Sequence, residues 1–221
     1  MGRFRRDAAA VLALIALAVA VSAQSWTTPV RWVPDALFYQ QHLLQFRGVS
    51  HDEAQRRAFA LVTQIAPGDV AFRENLMNRE WIERSEPFYN RRRALPAAGA
   101  AIYPLAGDRS LLILSLLAYV LIGPATYLLL RLRFARITSA GVAAGVLLFP
   151  PLMMWSAAPL TDSTSVLLLE LGLAGAFLTV TRGLRWLPAW IVPIGLLSVT
   201  RESYVALIVT AAVLALSLIH I

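Results

Sequence analysis

Long apolar runs, almost free of charge, govern what this 221-residue chain can fold into. An α-helix needs roughly 20 apolar residues to cross the hydrocarbon core of a bilayer. Inside that core every backbone N–H and C=O must find its partner within the segment, which a helix achieves. Six runs have this character: residues 8–23, 111–130, 140–157, 164–180, 187–199 and 204–218. The third is interrupted by Pro150-Pro151, and the fifth is short and holds Pro188, Pro193 and Gly195. Composition agrees, with 58% hydrophobic and 15% charged residues. A soluble domain has about 45–50% and about 25%. The expected fold is all-α: a polytopic transmembrane helical bundle with a long outer loop carrying amphipathic helices.

Three parts follow. Residues 1–24 form the first transmembrane helix or signal anchor, 25–109 the outer loop, and 110–221 a bundle of about five helices. Arg3, Arg5 and Arg6 precede the first run and Val21-Ser22-Ala23 closes it, so a cleavable signal peptide and a retained helix both fit. Either leaves the next segment outside. Arg131, Arg133 and Arg136 follow the second run, and Arg182 and Arg185 the fourth. With the N-terminal arginines inside, the positive-inside rule places these clusters in the cytoplasm. The expected location is the cell membrane, multi-pass, with a cytoplasmic N-terminus. Trp26, Trp32, Trp155, Trp186 and Trp190 lie near the proposed span ends, as an aromatic belt requires. The chain stops inside an apolar run at Ile221, so a longer parent protein is expected, and His220 carries no functional weight.

Within the loop, Ala54, Ala58, Leu61 and Val62 mark a short amphipathic helix over residues 51–64, with Ser50 and Glu53 at capping-box spacing. A second helix is expected over 69–83. Residues 94–105 are apolar but carry Pro96, Gly99 and Pro104, which favours a surface or re-entrant helix over a span.

The chain has no cysteine, and all 20 of its basic residues are arginine, giving a net charge of +7. The planar guanidinium fork suits phosphate and carboxylate. Recognition of anionic lipid or a phosphorylated substrate, and mere arginine usage, both account for it.

Four places could carry chemistry. Asp35 lies at the outer membrane surface, where it could take a proton from an attacking hydroxyl or cap the helix that follows. Arg91, Arg92 and Arg93 could hold a lipid-linked phosphate by charge-assisted hydrogen bonds, or anchor the segment at the headgroups. Glu170 lies deep in the fourth run, where an ionisable group points to function or to pairing with a neighbouring helix. Asp162 stands at the start of that run as a site residue or a cap, and Arg201 with Glu202 forms a later outer turn. His42 and His51 are expected at the surface. No glycine-rich phosphate loop, metal-ligand spacing, serine elbow or nucleic-acid motif is present, so no nucleic-acid partner is expected.

In order and sidedness these features resemble the C-type (GT-C fold) membrane glycosyltransferases that use polyprenyl-phosphate sugars. Asp35 with Tyr39 matches an Asp-x-x-x-Tyr-like opening of the first outer loop. Arg93-Ala94-Leu95-Pro96 matches its Arg-x-Leu-Pro-like close. Ala158-Pro159-Leu160-Thr161-Asp162-Ser163 matches a later acidic turn, and Arg201 an arginine near the start of a following helix. Relatives commonly carry a second acidic residue beside the first, where this chain has Ala36. The resemblance implies Asp35 as catalytic base. It implies substrate binding by Tyr39, Arg91, Arg92, Arg93, Asp162, Glu170 and Arg201. The donor would be a polyprenyl-phosphate-linked sugar, the acceptor a glycan, lipid or protein, and membrane lipids the surroundings. No cofactor is called for, and a divalent cation is compatible but not indicated. The alternatives are a transporter or lipid-binding membrane protein with Glu170 on a substrate or proton path, and a purely structural subunit.

Overall fold

A computed structural model of the chain describes residues 2–27, 33–65, 79–201 and Ala212. All of its regular elements are helical, and no strand occurs among the described residues. They are α1 (Gly2–Thr27), α2 (Pro34–Phe46), α3 (His51–Ile65), α4 (Arg79–Tyr89), α5 (Ala94–Ala106), α6 (Ser110–Leu130), α7 (Arg136–Leu147), α8 (Pro150–Ser156), α9 (Asp162–Arg182) and α10 (Leu187–Thr200). Short 3₁₀ turns at Gly107–Arg109 and Leu184–Trp186 lead into α6 and α10.

Three helical stretches among the described residues are long and apolar enough to cross a membrane: Arg6–Ala23, Ala94–Leu130 and Asp162–Arg182. The second unites α5 and α6, so the proline- and glycine-bearing 94–105 segment is helical and leads directly into the expected span. Its residues Leu95, Pro96 and Gly99 are buried against neighbouring helices. A fourth crossing exists if α7 and α8, bent by 59°, count as one. The apolar stretch Leu184–Thr200 is shorter. The run at 204–218 falls outside the described residues apart from Ala212, as do the start of the expected 69–83 helix and Glu202.

The bend between α7 and α8 follows from covalent structure. In a continuous helix residue 151 would donate its N–H to the carbonyl of Leu147, but Pro151 has no N–H. The hydroxyl of Tyr119 on α6 takes the vacant place, 2.6 Å from the Leu147 oxygen. Two helices approach as closely at Gly175. A Cβ there would stand 2.2 Å from the carbonyl oxygen of Ala189, so the backbones of α9 and α10 meet where only hydrogen fits.

Side-chain contacts fix the sense of the helices. Asp7 near the start of α1 accepts from Tyr127 (2.5 Å) and Arg131 (3.1 Å) at the end of α6. Arg133 lies over the ring of Phe177, late in α9. The start of α1, the end of α6 and the late turns of α9 therefore lie at one end of the helices. At the opposite end Arg109 donates to the carbonyl of Trp26 at 2.8 Å, and Ser115 donates to that of Leu160 at 2.9 Å.

At that opposite end the polar segment builds its own core around α2. Every residue from Ala36 to Leu44 is buried. α2 is enclosed by Ala54 and Ala58 of α3, Tyr89 of α4, Leu95 of α5, and Leu111 and Leu112 of α6. Full burial of one such large apolar side chain contributes about 1.5–3 kcal/mol. The predicted amphipathic face of α3 is thus the one that packs inward at Ala54 and Ala58. Glu53 turns its carboxylate to Arg56 and Arg57.

Candidate active site

The enclosure of α2 sets the geometry of the site. Val33 precedes the helix without a side-chain cap, Pro34 opens it, and Asp35 lies inside the first turn. The capping reading of Asp35 is therefore corrected: the carboxylate faces a partner from another helix. A negative charge in the first turn is still favoured by the helix dipole. That partner is the hydroxyl of Tyr89, which donates to Asp35.

Tyr89 ends α4 in an aromatic stack. Its ring lies 4.5 Å from that of Phe38 at an interplanar angle of 7°, with Phe88 and Tyr39 edge-on at 5.4 and 5.6 Å. Burial, then the bond to Asp35 and its charge, push the Tyr89 hydroxyl well above the ordinary tyrosine range, so it stays a donor. Burial raises Tyr39 too, against the opposing effect of hydrogen bonds from Thr161 and Arg92.

Tyr39 links the three remaining pieces. Its hydroxyl is 3.2 Å from Oγ1 of Thr161 and accepts from Nη1 of Arg92 at 3.4 Å. Arg92 is 7% exposed. Its guanidinium lies over the rings of Phe88 (4.0 Å) and Tyr89 (5.3 Å), and its Nε has no hydrogen-bond partner. A buried charged donor left unpaired is costly, because its desolvation is not compensated. Such an orphan donor leaves a charge-assisted hydrogen bond open to an incoming acceptor.

Thr161 is held there by the Ser115 bond to the preceding carbonyl. Asp162, next in sequence, opens α9 and pairs with Arg201 at the end of α10. The start of α9 and Arg201 meet as an ion pair, so Asp162 faces Arg201 and does not merely cap a helix. Beside it, Oγ of Ser163 is buried without a partner.

The structure thus brings Asp35, Tyr39, Arg92, Asp162 and Arg201 to one locality, drawn from α2, the turn between α4 and α5, the start of α9 and the end of α10. It separates the arginine triplet. Arg91 is exposed. Arg93 is exposed as well, donates to the carbonyl of Asn90 at 2.9 Å and borders a small pocket of about 130 Å³ with His42, Gln45 and Phe46. Glu170 stands apart from the cluster. Eight residues beyond Asp162 is about 12 Å along the helix. There it accepts from Thr126 of α6 at 2.5 Å, with Oε2 unpartnered.

His42 corrects an expectation of surface exposure, because it is 1% exposed and its Nε2 lies 3.1 Å from Oδ1 of Asn90. The reason is the enclosure of α2 on all sides, where Gln40 and Gln41 likewise reach Asp108 (3.3 Å) and Glu86 (3.1 Å). Tyr89 and Thr161 were not singled out from the sequence. Their signal was adjacency, Tyr89 three residues before Arg92 and Thr161 beside Asp162. Among the described residues no three acidic or histidine side chains gather as metal ligands. No protein-family model, curated protein or solved structure matches the chain.

Proposed function

We propose that the chain is a membrane glycosyltransferase moving a sugar from a polyprenyl-phosphate donor to an acceptor hydroxyl at the outer membrane face. The observation that carries this reading is the meeting of Asp35 and a buried, incompletely bonded Arg92 around Tyr39 and Tyr89. A base and an anion-binding group within one cluster are what phosphate displacement by a hydroxyl needs. The acceptor oxygen attacks the anomeric carbon, its proton passes to Asp35, and the bond from that carbon to the phosphate oxygen breaks with its electrons on the phosphate. Arg92 faces the charge that develops on the leaving group, where a preorganised donor is most effective. Arg201 contributes if it exchanges Asp162 for phosphate, and Arg91 and Arg93 lie at the exposed rim. In this reading the arginine-rich end is cytoplasmic and the α2 end lies outside, in accord with the positive-inside rule.

The test uses the full-length protein in lipid vesicles with a polyprenyl-phosphate sugar. Asp35→Asn is expected to keep donor binding and lose transfer by about 10²–10⁴-fold, the usual contribution of a general base. Arg92→Ala is expected to weaken donor binding. Full transfer by Asp35→Asn would sink the assignment of the base. Absence of donor binding by the intact protein would favour the transporter reading, whose supporting observation is the unpartnered Oε2 of Glu170 between α6 and α9.

A further inference from the structure

At the arginine-rich end, away from the Asp35 cluster, the first turns of α1 and α7 leave a groove of about 550 Å³ between them. Small residues form its floor: Ala9 and Ala10 from α1, Ala140 and Gly141 from α7. No atom lies within 4 Å of the position a Cβ on Gly141 would take, so the groove is open there. Ile137 on its wall is 80% exposed.

Arg6 and Arg136 border this apolar floor, one from each helix. Two other arginines at the same end are otherwise engaged. Arg131 is bonded to Asp7 and to the carbonyl of Phe134, and Arg133 lies over the Phe177 ring. Asp7, the acidic residue of α1, is turned to Tyr127 and Arg131. Neither Arg6 nor Arg136 forms an ion pair with a carboxylate among the described residues.

The apolar stretch Arg6–Ala23 begins at this groove, which sets it at headgroup depth if α1 crosses the bilayer. Two cations at that depth over a strip of small apolar residues match a particular chemistry. The match is a phosphodiester anion carrying a hydrocarbon chain. Basic pockets between transmembrane helices bind anionic headgroups on this principle. We infer that the groove seats one anionic phospholipid of the surrounding bilayer, its phosphate between Arg6 and Arg136 and an acyl chain along the Ala9–Ala140 floor. The inference is independent of the glycosyltransferase reading, because it uses none of that site's residues.

Native mass spectrometry of the full chain, released from bilayer discs of phosphatidylcholine with or without phosphatidylglycerol, tests it. The wild type is expected to retain one phosphatidylglycerol and to show no equivalent retention of phosphatidylcholine. Replacing both arginines (Arg6→Gln with Arg136→Gln) should lower retention by about tenfold per arginine, the effect of one charge-assisted bond. Gly141→Leu fills the groove and leaves both charges, so it should also lose the lipid. Arg133→Gln should have no effect. Retention in the double variant would overturn the site. So would equal loss in Arg133→Gln, which would mean diffuse attraction, or the appearance in wild type of a dimer that Gly141→Leu abolishes, which would mean a second copy fills the groove.

Discussion

At the scale of single side chains, α2 holds polar groups where a solvated helix would hold them only at its surface. Gln40, Gln41 and His42 are buried, and each reaches a polar group of a neighbouring segment. Burial first, and then the charge of Arg93, lowers His42 below the ordinary histidine value of 6.5. The sign of the consequence is definite. Above pH 6.5 His42 is neutral in both folded and unfolded chains. As pH falls below it, the unfolded chain takes up a proton that the folded chain resists, so stability is lost toward the folded value. Thermal unfolding in detergent should show a melting temperature that drops through this acid range, with a smaller drop in His42→Gln. An unchanged pH profile in that variant would exclude His42 as the source. Asp35 was legible at this scale because a carboxylate soon after an apolar run is conspicuous. Its partner Tyr89 was not, because the donor comes from a helix 54 positions away, a proximity that only packing creates.

At the scale of elements, two contacts decide how the helices meet. Removal of the Tyr119 hydroxyl leaves the buried carbonyl of Leu147 without a donor at the α7–α8 bend. Tyr119→Phe should therefore cost about 1–3 kcal/mol, read from denaturant or thermal unfolding, while preserving the ring's packing. Were it neutral, another donor would have to reach that oxygen. Gly175→Ala inserts a methyl group into the backbone of α10 and should destabilise by about 1–3 kcal/mol or more, as overpacked cores do. Gly195→Ala on α10 serves as a comparison, since nothing lies within 4 Å of the position its Cβ would take. The interruption at Pro150-Pro151 was readable, since proline removes a donor wherever it sits. The demand at Gly175 was not. A glycine within an apolar helix looks the same in sequence whether or not a second backbone passes over it. Likewise 94–105 reads as broken because of its prolines, yet Pro96 falls in the first turn of α5, where the missing N–H costs no helical bond.

At the scale of the whole molecule, the first five apolar runs coincide with helices, the third of them divided between α7 and α8, while the sixth lies outside the described residues apart from Ala212. The grouping of charge was also legible in outline. Arginines separated in sequence, at Arg6, Arg131 and Arg133, meet at one end of the helices through Asp7, Tyr127 and Phe177. The clustering of Asp35 with Arg92 and Thr161 required the tertiary fold, since three separate segments must close around Tyr39. If the two ends face opposite compartments, the chain offers a direct test, because it contains no cysteine to interfere. Single cysteines at two exposed positions, Ser50→Cys beside α3 and Thr138→Cys in the first turn of α7, mark the two ends. In sealed right-side-out vesicles a membrane-impermeant maleimide should label Ser50→Cys at once and Thr138→Cys only after the vesicles are opened. The reverse pattern would place the Asp35 cluster in the cytoplasm, where a polyprenyl-phosphate donor presented outside could not reach it. Immediate labelling of both would mean that the apolar helices between them do not separate two compartments, and the membrane architecture itself would have to be redrawn.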